Sequence, residues 1–234
     1  MLRLQQIDTY YGLSHILQGV SLTVAPGEAV ALLGRNGAGK TTTLKSIMGV
    51  LRPRRGQIIF ADRDITGAAP HQIVHMGIGY VPEERRIFPN LTVYENLKMA
   101  RLVVDRGRRM DDYLERVFAL FPPLKARLRN RGRALSGGEQ QMLAIARSLG
   151  TEPRLLLIDE PTEGLMPAFV ETIGQTLVDI QRQGLAVLLV EQNTKLALDA
   201  TQRVYLIEKG VIRHEGASAA LKHDPETRLR YLGV

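Results

Sequence analysis

Two stretches of this chain bring together side chains able to handle phosphate. The first is Gly34-Arg35-Asn36-Gly37-Ala38-Gly39-Lys40-Thr41-Thr42, which fits G-x-x-x-x-G-K-[ST]. It follows the apolar run Val30–Leu33 and opens a helix-like stretch from Lys40 to Met48. Its glycines let backbone N–H groups curl around phosphate oxygens, and a helix N-terminus adds a favourable dipole. In this pattern Lys40 reaches the β- and γ-phosphates, Thr41 offers its hydroxyl to Mg²⁺ and Thr42 helps hold phosphate. The second stretch is Leu155-Leu156-Leu157-Ile158-Asp159-Glu160. Four apolar residues read as a buried strand that delivers two carboxylates at its C-terminal end, where open α/β sheets bind ligands. Asp159 is suited to holding Mg²⁺ through water, and Glu160 to polarising an attacking water as general base. A third segment, Leu135-Ser136-Gly137-Gly138-Glu139-Gln140, stands just ahead of a helix-like run. A Gly-Gly pair behind a Ser cap is a second anion-binding nest, which one nucleotide does not need from the same chain.

The elements that must position these groups are legible in outline. Short β-like runs lie at Leu2–Ile7, Ser21–Val24 and Ala29–Leu33, with further strands at Gln57–Phe60 and Ile78–Val81. From Glu84 to about Arg133 the character turns helical. Leu114, Val117, Phe118 and Phe121 recur at helix spacing over Asp111–Phe121, and Pro122-Pro123 stops that helix. After Ser136 strand and helix alternate: helix Glu139–Leu149, strand Leu155–Ile158, helix Pro167–Gln183, strand Leu185–Val190. Unbroken apolar strands between helices imply a parallel sheet covered on both faces. Val204–Ile207 and Val211–Arg213 flank Lys209-Gly210 as a hairpin, and a terminal helix follows.

Composition narrows the function classes. The 234 residues carry 31 Lys and Arg against 24 Asp and Glu, a net charge of +7, and have neither Cys nor Trp. That excludes disulfide scaffolds, thiolate metal sites and thiol catalysis. The longest apolar runs fall far short of the ~20 residues of a membrane span, and the start MLRLQQIDTY lacks the apolar core of a signal peptide. A cytoplasmic protein is expected. The positive balance leaves nucleic acid, an anionic membrane surface or phosphate ligands as partners.

With phosphate loop, Ser-Gly-Gly segment and acidic pair in this order, the chain resembles the ATP-binding-cassette (ABC) ATPase family over nearly its whole length. The resemblance implies an α/β P-loop NTPase fold: a mostly parallel core sheet, an N-terminal antiparallel β subdomain and a helical insert. It further implies one nucleotide-binding domain over 1–234, with the ATPase core at 1–83 and 142–234 and the helical signature subdomain at about 84–141. ATP and Mg²⁺ are the implied ligands. By resemblance Leu135, Ser136, Gly137, Gly138 and Glu139 form the signature that closes on ATP held by another subunit, with Ser136 and Gly138 on its γ-phosphate. Tyr11 stands where the family stacks an aromatic on adenine, with Tyr10 as its rival. Glu83, after Gly79-Tyr80-Val81-Pro82, stands where a Mg²⁺-sensing Gln is usual, and Gln192 takes the usual place of the switch His. Glu139 replaces Gln, and Met166 replaces a common Asp in the loop Pro161–Met166. Gln192 can hydrogen-bond a γ-phosphate oxygen but cannot carry a proton as His does.

The stretches YVPEERRIFPNLTVYENL, LSGGEQQMLAIARSL and LLVEQN resemble the LivF-type ATPases of branched-chain (hydrophobic) amino-acid importers, and YYGLSHIL and DEPTEG resemble urea-type importer ATPases. That subgroup implies a LivG-type second ATPase subunit, or this chain as a homodimer, two membrane permeases and, indirectly, a periplasmic solute-binding protein. It also implies a peripheral place on the cytoplasmic face of the inner membrane. The function expected is an ATPase that powers an importer. A subunit that binds ATP with little hydrolysis of its own is the next reading, prompted by Glu83 and Gln192. A nucleic-acid-associated ABC ATPase comes last, because the basic run Lys125, Arg127, Arg129, Arg131, Arg133 reads as a solvated loop.

Overall fold

The computed structural model describes residues 1–102 and 109–233. Of the expected helical insert, residues 103–108 lie outside the described residues. The described residues form two sheets. The first is antiparallel, in the order β2-β1-β4-β5, from β1 (Leu2–Tyr11), β2 (Ser14–Val24), β4 (Arg55–Phe60) and β5 (Arg63–Asp64). The second runs β10-β9-β3-β8-β7-β6, from β3 (Ala29–Leu33), β6 (Ile78–Val81), β7 (Leu155–Asp159), β8 (Ala186–Glu191), β9 (Arg203–Glu208) and β10 (Val211–Ala217). All neighbours in it pair parallel except β9 with β10.

The apolar runs explain this sheet. Every residue of β3, β7 and β8 is buried. Successive side chains point to opposite faces, so each strand feeds two cores. Val30, Leu32, Leu155, Leu157, Leu188 and Tyr205 pack toward the antiparallel sheet, with Leu44 and Ile47 of α1 (Lys40–Ile47). Ala31, Leu33, Leu156, Ile158, Leu189 and Leu206 face the opposite side. There they meet α6 (Gly137–Leu149), α7 (Pro167–Arg182) and α8 (Thr194–Ala200). Truncating one of these leucines to Ala should cost about 2–5 kcal/mol.

The outer helices complete the cores, α2 (Pro70–His75) on the side of the antiparallel sheet through Ile73 and the others on the opposite side. α2 precedes β6, and α3 (Val93–Arg101) is held by a capping box in which Thr92 Oγ1 accepts from Glu95 N–H at 3.2 Å while Glu95 Oε2 accepts from Thr92 N–H at 2.8 Å. On α4 (Met110–Leu120) Tyr113 and Val117 are buried, and Tyr113 Oη donates to Ala146 O of α6 at 2.7 Å. The Pro122-Pro123 pair does end α4, but it also opens α5 (Pro122–Ala126), because proline suits a first helical turn. α9 (Ser218–Lys222) and α10 (Pro225–Tyr231) finish the chain.

At the amino-terminal rim of the parallel strands sits an ionic hub. Arg203 donates to Glu28 Oε1 at 2.8 Å, to Glu215 Oε1 at 2.6 Å, to Tyr205 Oη at 2.5 Å and to Thr23 O at 2.8 Å. It joins β2, the lead-in to β3, β9 and β10. Burial would raise the Glu28 carboxyl, but the Arg203 hydrogen bonds and the Ala25 N–H outweigh it and hold Glu28 below the ordinary carboxylate range.

Two expectations are corrected here. Strand β2 begins at Ser14, seven residues before the apolar run Ser21–Val24, because its pairing with β1 extends to Tyr11↔Ser14. The basic run is exposed at all five positions, as expected, but it is not a plain loop. Lys125 lies in α5, Arg127 pairs with Glu139, and Arg131 bridges to Thr92.

Candidate functional site

The carboxyl ends of β3, β7 and β8 converge on one cleft of about 370 Å³. Adjacent parallel strands set this by register, since Leu33 stands opposite Glu191 and Asp159 opposite Val190. Gly34–Gly39 leave β3 as a loop, and Gly39 enters α1 at φ +110, a conformation closed to other residues, with Leu17 2.8 Å from where a Cβ would stand. Lys40, the first residue of α1, is buried. Its Nζ donates to Gly34 O at 2.9 Å and Arg35 O at 3.3 Å, and lies 3.1 Å from Glu160 Oε1. Thr41 Oγ1 donates to Asp159 Oδ1 at 3.1 Å.

Glu160 carries strain. Its φ is +43, a left-handed conformation that costs a non-glycine residue roughly 1–2 kcal/mol. Its N–H is fixed to Val190 O at 2.9 Å, and its carboxylate takes Lys40 on one oxygen and the Gln192 side-chain amide on the other. In the second contact Gln192 Nε2 is the donor and Glu160 Oε2 the acceptor.

Among the expected site residues, Tyr11, Asn36, Gly37, Gly39, Lys40, Thr41 and Thr42 line the cleft, together with Glu83, Glu160 and Gln192. Gly34, Arg35 and Ala38 complete the loop behind them, Ala38 N–H bonding Arg35 O at 3.1 Å. Tyr10 and Tyr11 separate cleanly. Tyr10 stacks on His15 at 4.1 Å between ring centroids and lies under Arg54 at 4.3 Å, whereas Tyr11 is 45% exposed at the mouth of the cleft.

The cleft has a surplus of negative charge. Burial pushes Asp159 up to about 6, against hydrogen bonds from Thr41 and Tyr80 that favour its charged form. Glu163, unremarked in the sequence, lines the cleft too, and its carboxyl is raised by burial and by the neighbouring Glu160 and Glu83. Among the described residues no group of three or more His, Cys, Asp or Glu is arranged to hold a metal ion by itself. The oxygen donors present, the Thr41 hydroxyl with the carboxylates of Asp159 and Glu83, fit Mg²⁺, which is held through one or two carboxylates and keeps water and phosphate in its remaining positions.

Leu135–Glu139 are not among the residues lining this cleft. Ser136 caps α6, which begins at Gly137, two residues before the expected start. Ser136 Oγ accepts from Glu139 N–H at 3.3 Å, and Glu139 Oε2 accepts from Ser136 N–H at 2.8 Å. Arg127 Nε donates to the other oxygen of Glu139 at 3.1 Å. Burial would raise Glu139, yet the Ser136 and Arg127 contacts win and hold it low. Glu139 therefore makes a reciprocal cap and an ion pair at once. Gly138 abuts the Phe169 ring so closely that a Cβ would stand 2.3 Å from it. Met166, where Asp is common, is 65% exposed.

Sequence reasoning missed three groups that shape this site: Tyr80, Glu163 and Glu191. Tyr80 Oη donates to Asp159 Oδ2 at 3.2 Å, and its hydroxyl is raised by burial and by Asp159. Glu191 is 2% exposed behind Gln192. Its place at the end of an apolar strand, like that of Asp159 after Ile158, was the available signal.

Comparison with known proteins agrees with this geometry. The ABC transporter family profile matches residues 17–163. The chain is 42% identical to the high-affinity branched-chain amino acid transport ATP-binding protein BraG of Pseudomonas aeruginosa, over 100% of both chains. It is 37% identical to the probable branched-chain amino acid transport ATP-binding protein LivF of Archaeoglobus fulgidus, over 98% of both. At the same 37% it matches the lipopolysaccharide export system ATP-binding protein LptB of Haemophilus influenzae, over 100% of this chain and 97% of that one. An ATP-binding cassette solved as a dimer in a post-hydrolysis state with ADP and Pi superposes with a TM-score of 0.83 at 25% identity, covering 93% of this chain and 99% of that one. A phosphate loop and an acidic strand end joined through Lys40 and Glu160, on this sheet and with these relatives, place the chain in the ABC transporter family as an ATP-binding, ATP-hydrolysing subunit.

Proposed function

We propose that this subunit powers an importer of branched-chain or other hydrophobic amino acids. The observation that carries the motor half of this reading is the Lys40–Glu160–Gln192 constellation at the carboxyl ends of β3, β7 and β8. The substrate half is supported by the full-length likeness to BraG. A lipopolysaccharide-export role is the second reading, favoured by the equal identity to LivF and LptB. The solute would be chosen by permeases and a periplasmic binding protein, and the urea and aromatic-acid branches enter the same assay.

In this mechanism the N–H groups of Gly37–Thr42 and the α1 dipole bind the phosphates, and Lys40 exchanges its Glu160 contact for phosphate oxygens. Tyr11 stacks on the adenine. Glu160 takes the proton of the attacking water as general base, oriented by Gln192. Thr41, Asp159 and Glu83 would hold Mg²⁺, which neutralises charge on the phosphates. Leu135–Glu139 would serve the nucleotide of a second cassette, of LivG type or a second copy. The fold unit over 1–234, with its helical signature part at about 84–141, would dock on two permease subunits. No helix among the described residues is long and apolar enough to cross a membrane. A peripheral place on the cytoplasmic face of the inner membrane follows from the permease partnership.

The test is transport after deletion of the chain. Loss of radiolabelled leucine uptake, with urea and aromatic-acid uptake intact, is expected. Intact leucine uptake with impaired lipopolysaccharide export would transfer the assignment to the second reading.

A further inference from the structure

Glu191, the last residue of β8, is a buried carboxylate that the hydrolytic scheme leaves unused. Among the described residues no Lys or Arg pairs with it in an ion pair. A buried charge without a counter-ion is costly unless donors surround it, and here four do. One oxygen, Oε1, accepts from Thr162 N–H at 3.1 Å and Thr162 Oγ1 at 2.5 Å. The other, Oε2, accepts from Gln192 N–H at 2.8 Å and Asn193 N–H at 2.9 Å. Each oxygen serves a different loop, one after β7 and one after β8.

Both loops end on Glu160. Thr162 is two residues beyond it, and Gln192 bonds its carboxylate. Glu160 also holds a left-handed backbone at φ +43, which persists only where the surroundings fix it. Val190 O holds its N–H, and Glu191 holds the chain on the other side.

We propose that Glu191 is a positioning residue that locks the Thr162 loop and the Gln192–Asn193 loop into one unit, and so sets both the backbone and the carboxylate of Glu160. A glutamine here cannot reproduce this. Whichever oxygen becomes NH₂ faces a backbone N–H donor and leaves it unpaired. The lock acts on hydrolysis and leaves the phosphate cradle untouched, because neither Glu191 nor its four donors belong to Gly34–Thr42. The inference rests on the assignment of Glu160 as general base.

The experiment compares Glu191→Gln, Thr162→Val and their double variant by ATPase kinetics and by hydrogen exchange of the intact chain. For Glu191→Gln, kcat is expected to fall roughly ten- to a hundredfold, the range a small misplacement of a reacting group produces, with KM for ATP within about twofold. Exchange should rise together at 161–165 and 192–195 and stay unchanged in α1 and β3. Thr162→Val should lower kcat less, and the two changes should combine non-additively. Wild-type kcat in Glu191→Gln, exchange rising in only one loop, or exchange rising throughout β7 and β8 with loss of ATP binding would each overturn the lock. If Glu191→Gln does not fold, Thr162→Val decides alone: it must raise exchange at Gln192 and Asn193, and protection there equal to wild type refutes the proposal. Glu160→Gln separates the premises. An inactive Glu160→Gln beside a fully active Glu191→Gln sinks the lock only, whereas an active Glu160→Gln sinks the base assignment and leaves the exchange result to judge the lock.

Discussion

Lys40 Nζ and Glu160 Oε1 lie 3.1 Å apart, and both side chains are at most 9% exposed. The group expected to bind phosphate and the group expected to activate water thus begin as partners of each other. Removing one leaves the other as an uncompensated buried charge. Lys40→Met should destabilise the nucleotide-free protein by about 3–5 kcal/mol, the usual cost of breaking a buried pair from one side. Denaturant unfolding checks this. A loss confined to ATP binding, with no change in stability, would contradict it.

Glu160→Gln removes the charge while keeping the shape. Turnover should fall about 10²–10⁴-fold, the span of general-base catalysis. ATP binding should be preserved, because Lys40 is released from its competitor. Equilibrium binding and single-turnover hydrolysis on the same preparation measure both halves.

Tyr11 and Tyr10 should behave oppositely. Stacking on a base is worth about 1–3 kcal/mol, so Tyr11→Ala should weaken ATP binding roughly five- to a hundredfold, and GTP similarly because stacking ignores base identity. Tyr10→Ala should leave affinity alone and cost stability, since it loses the His15 and Arg54 contacts. Nucleotide titration with melting curves distinguishes the two.

Asp159 gives a pH signature. Its carboxyl is raised from its ordinary value to about 6 by burial. A group raised in the folded state contributes stability that is full below its unfolded value, near 4, and is lost as pH rises through the folded one. In EDTA the protein should therefore lose stability between about pH 4 and pH 6. Asp159→Asn should flatten that slope. Unfolding midpoints across this window read it directly, and identical slopes for both proteins would count against the assignment.

Gln192→His would place a titratable ring against Glu160. The rate profile should gain a limb near the usual imidazole value of about 6.5, displaced upward by the carboxylate. Wild-type turnover should show no limb from this position. A pH–kcat series on both proteins tests the contrast.

Much of this fold was legible because its strands are buried on both faces. Apolar runs such as Leu155–Ile158 and Leu185–Val190 announce themselves, and the observed strands, Leu155–Asp159 and Ala186–Glu191, are one residue longer and shifted by one residue, respectively. Edge and outer elements hid for the opposite reason. The first half of β2, Ser14–Gly19, buries only Leu17 and owes its form to pairing with β1. Helix α3 was signalled by the Thr92–Glu95 box and the short apolar spacing Val93, Leu97, Ala100, and α5 was masked by a proline pair that both ends and begins a helix. The phosphate loop and acidic pair carry contiguous motifs and were readable. Tyr80 and Glu191 act through partners on neighbouring strands and loops, Asp159 and Thr162, which a sequence pattern does not name even where, as at Glu191, it marks the position.

The Arg203 hub and the nucleotide cleft occupy opposite rims of one sheet. At the hub, an arginine satisfies two glutamates, a tyrosine and a backbone carbonyl. At the cleft, Glu83, Glu160 and Glu163 share the lining with one buried lysine, Lys40, and Asp159 sits next to it against Thr41. One rim is electrostatically closed and the other is frustrated. A nucleotide carrying Mg²⁺ would bring the cation this rim lacks, whereas the opposite rim is already neutralised by its own arginine.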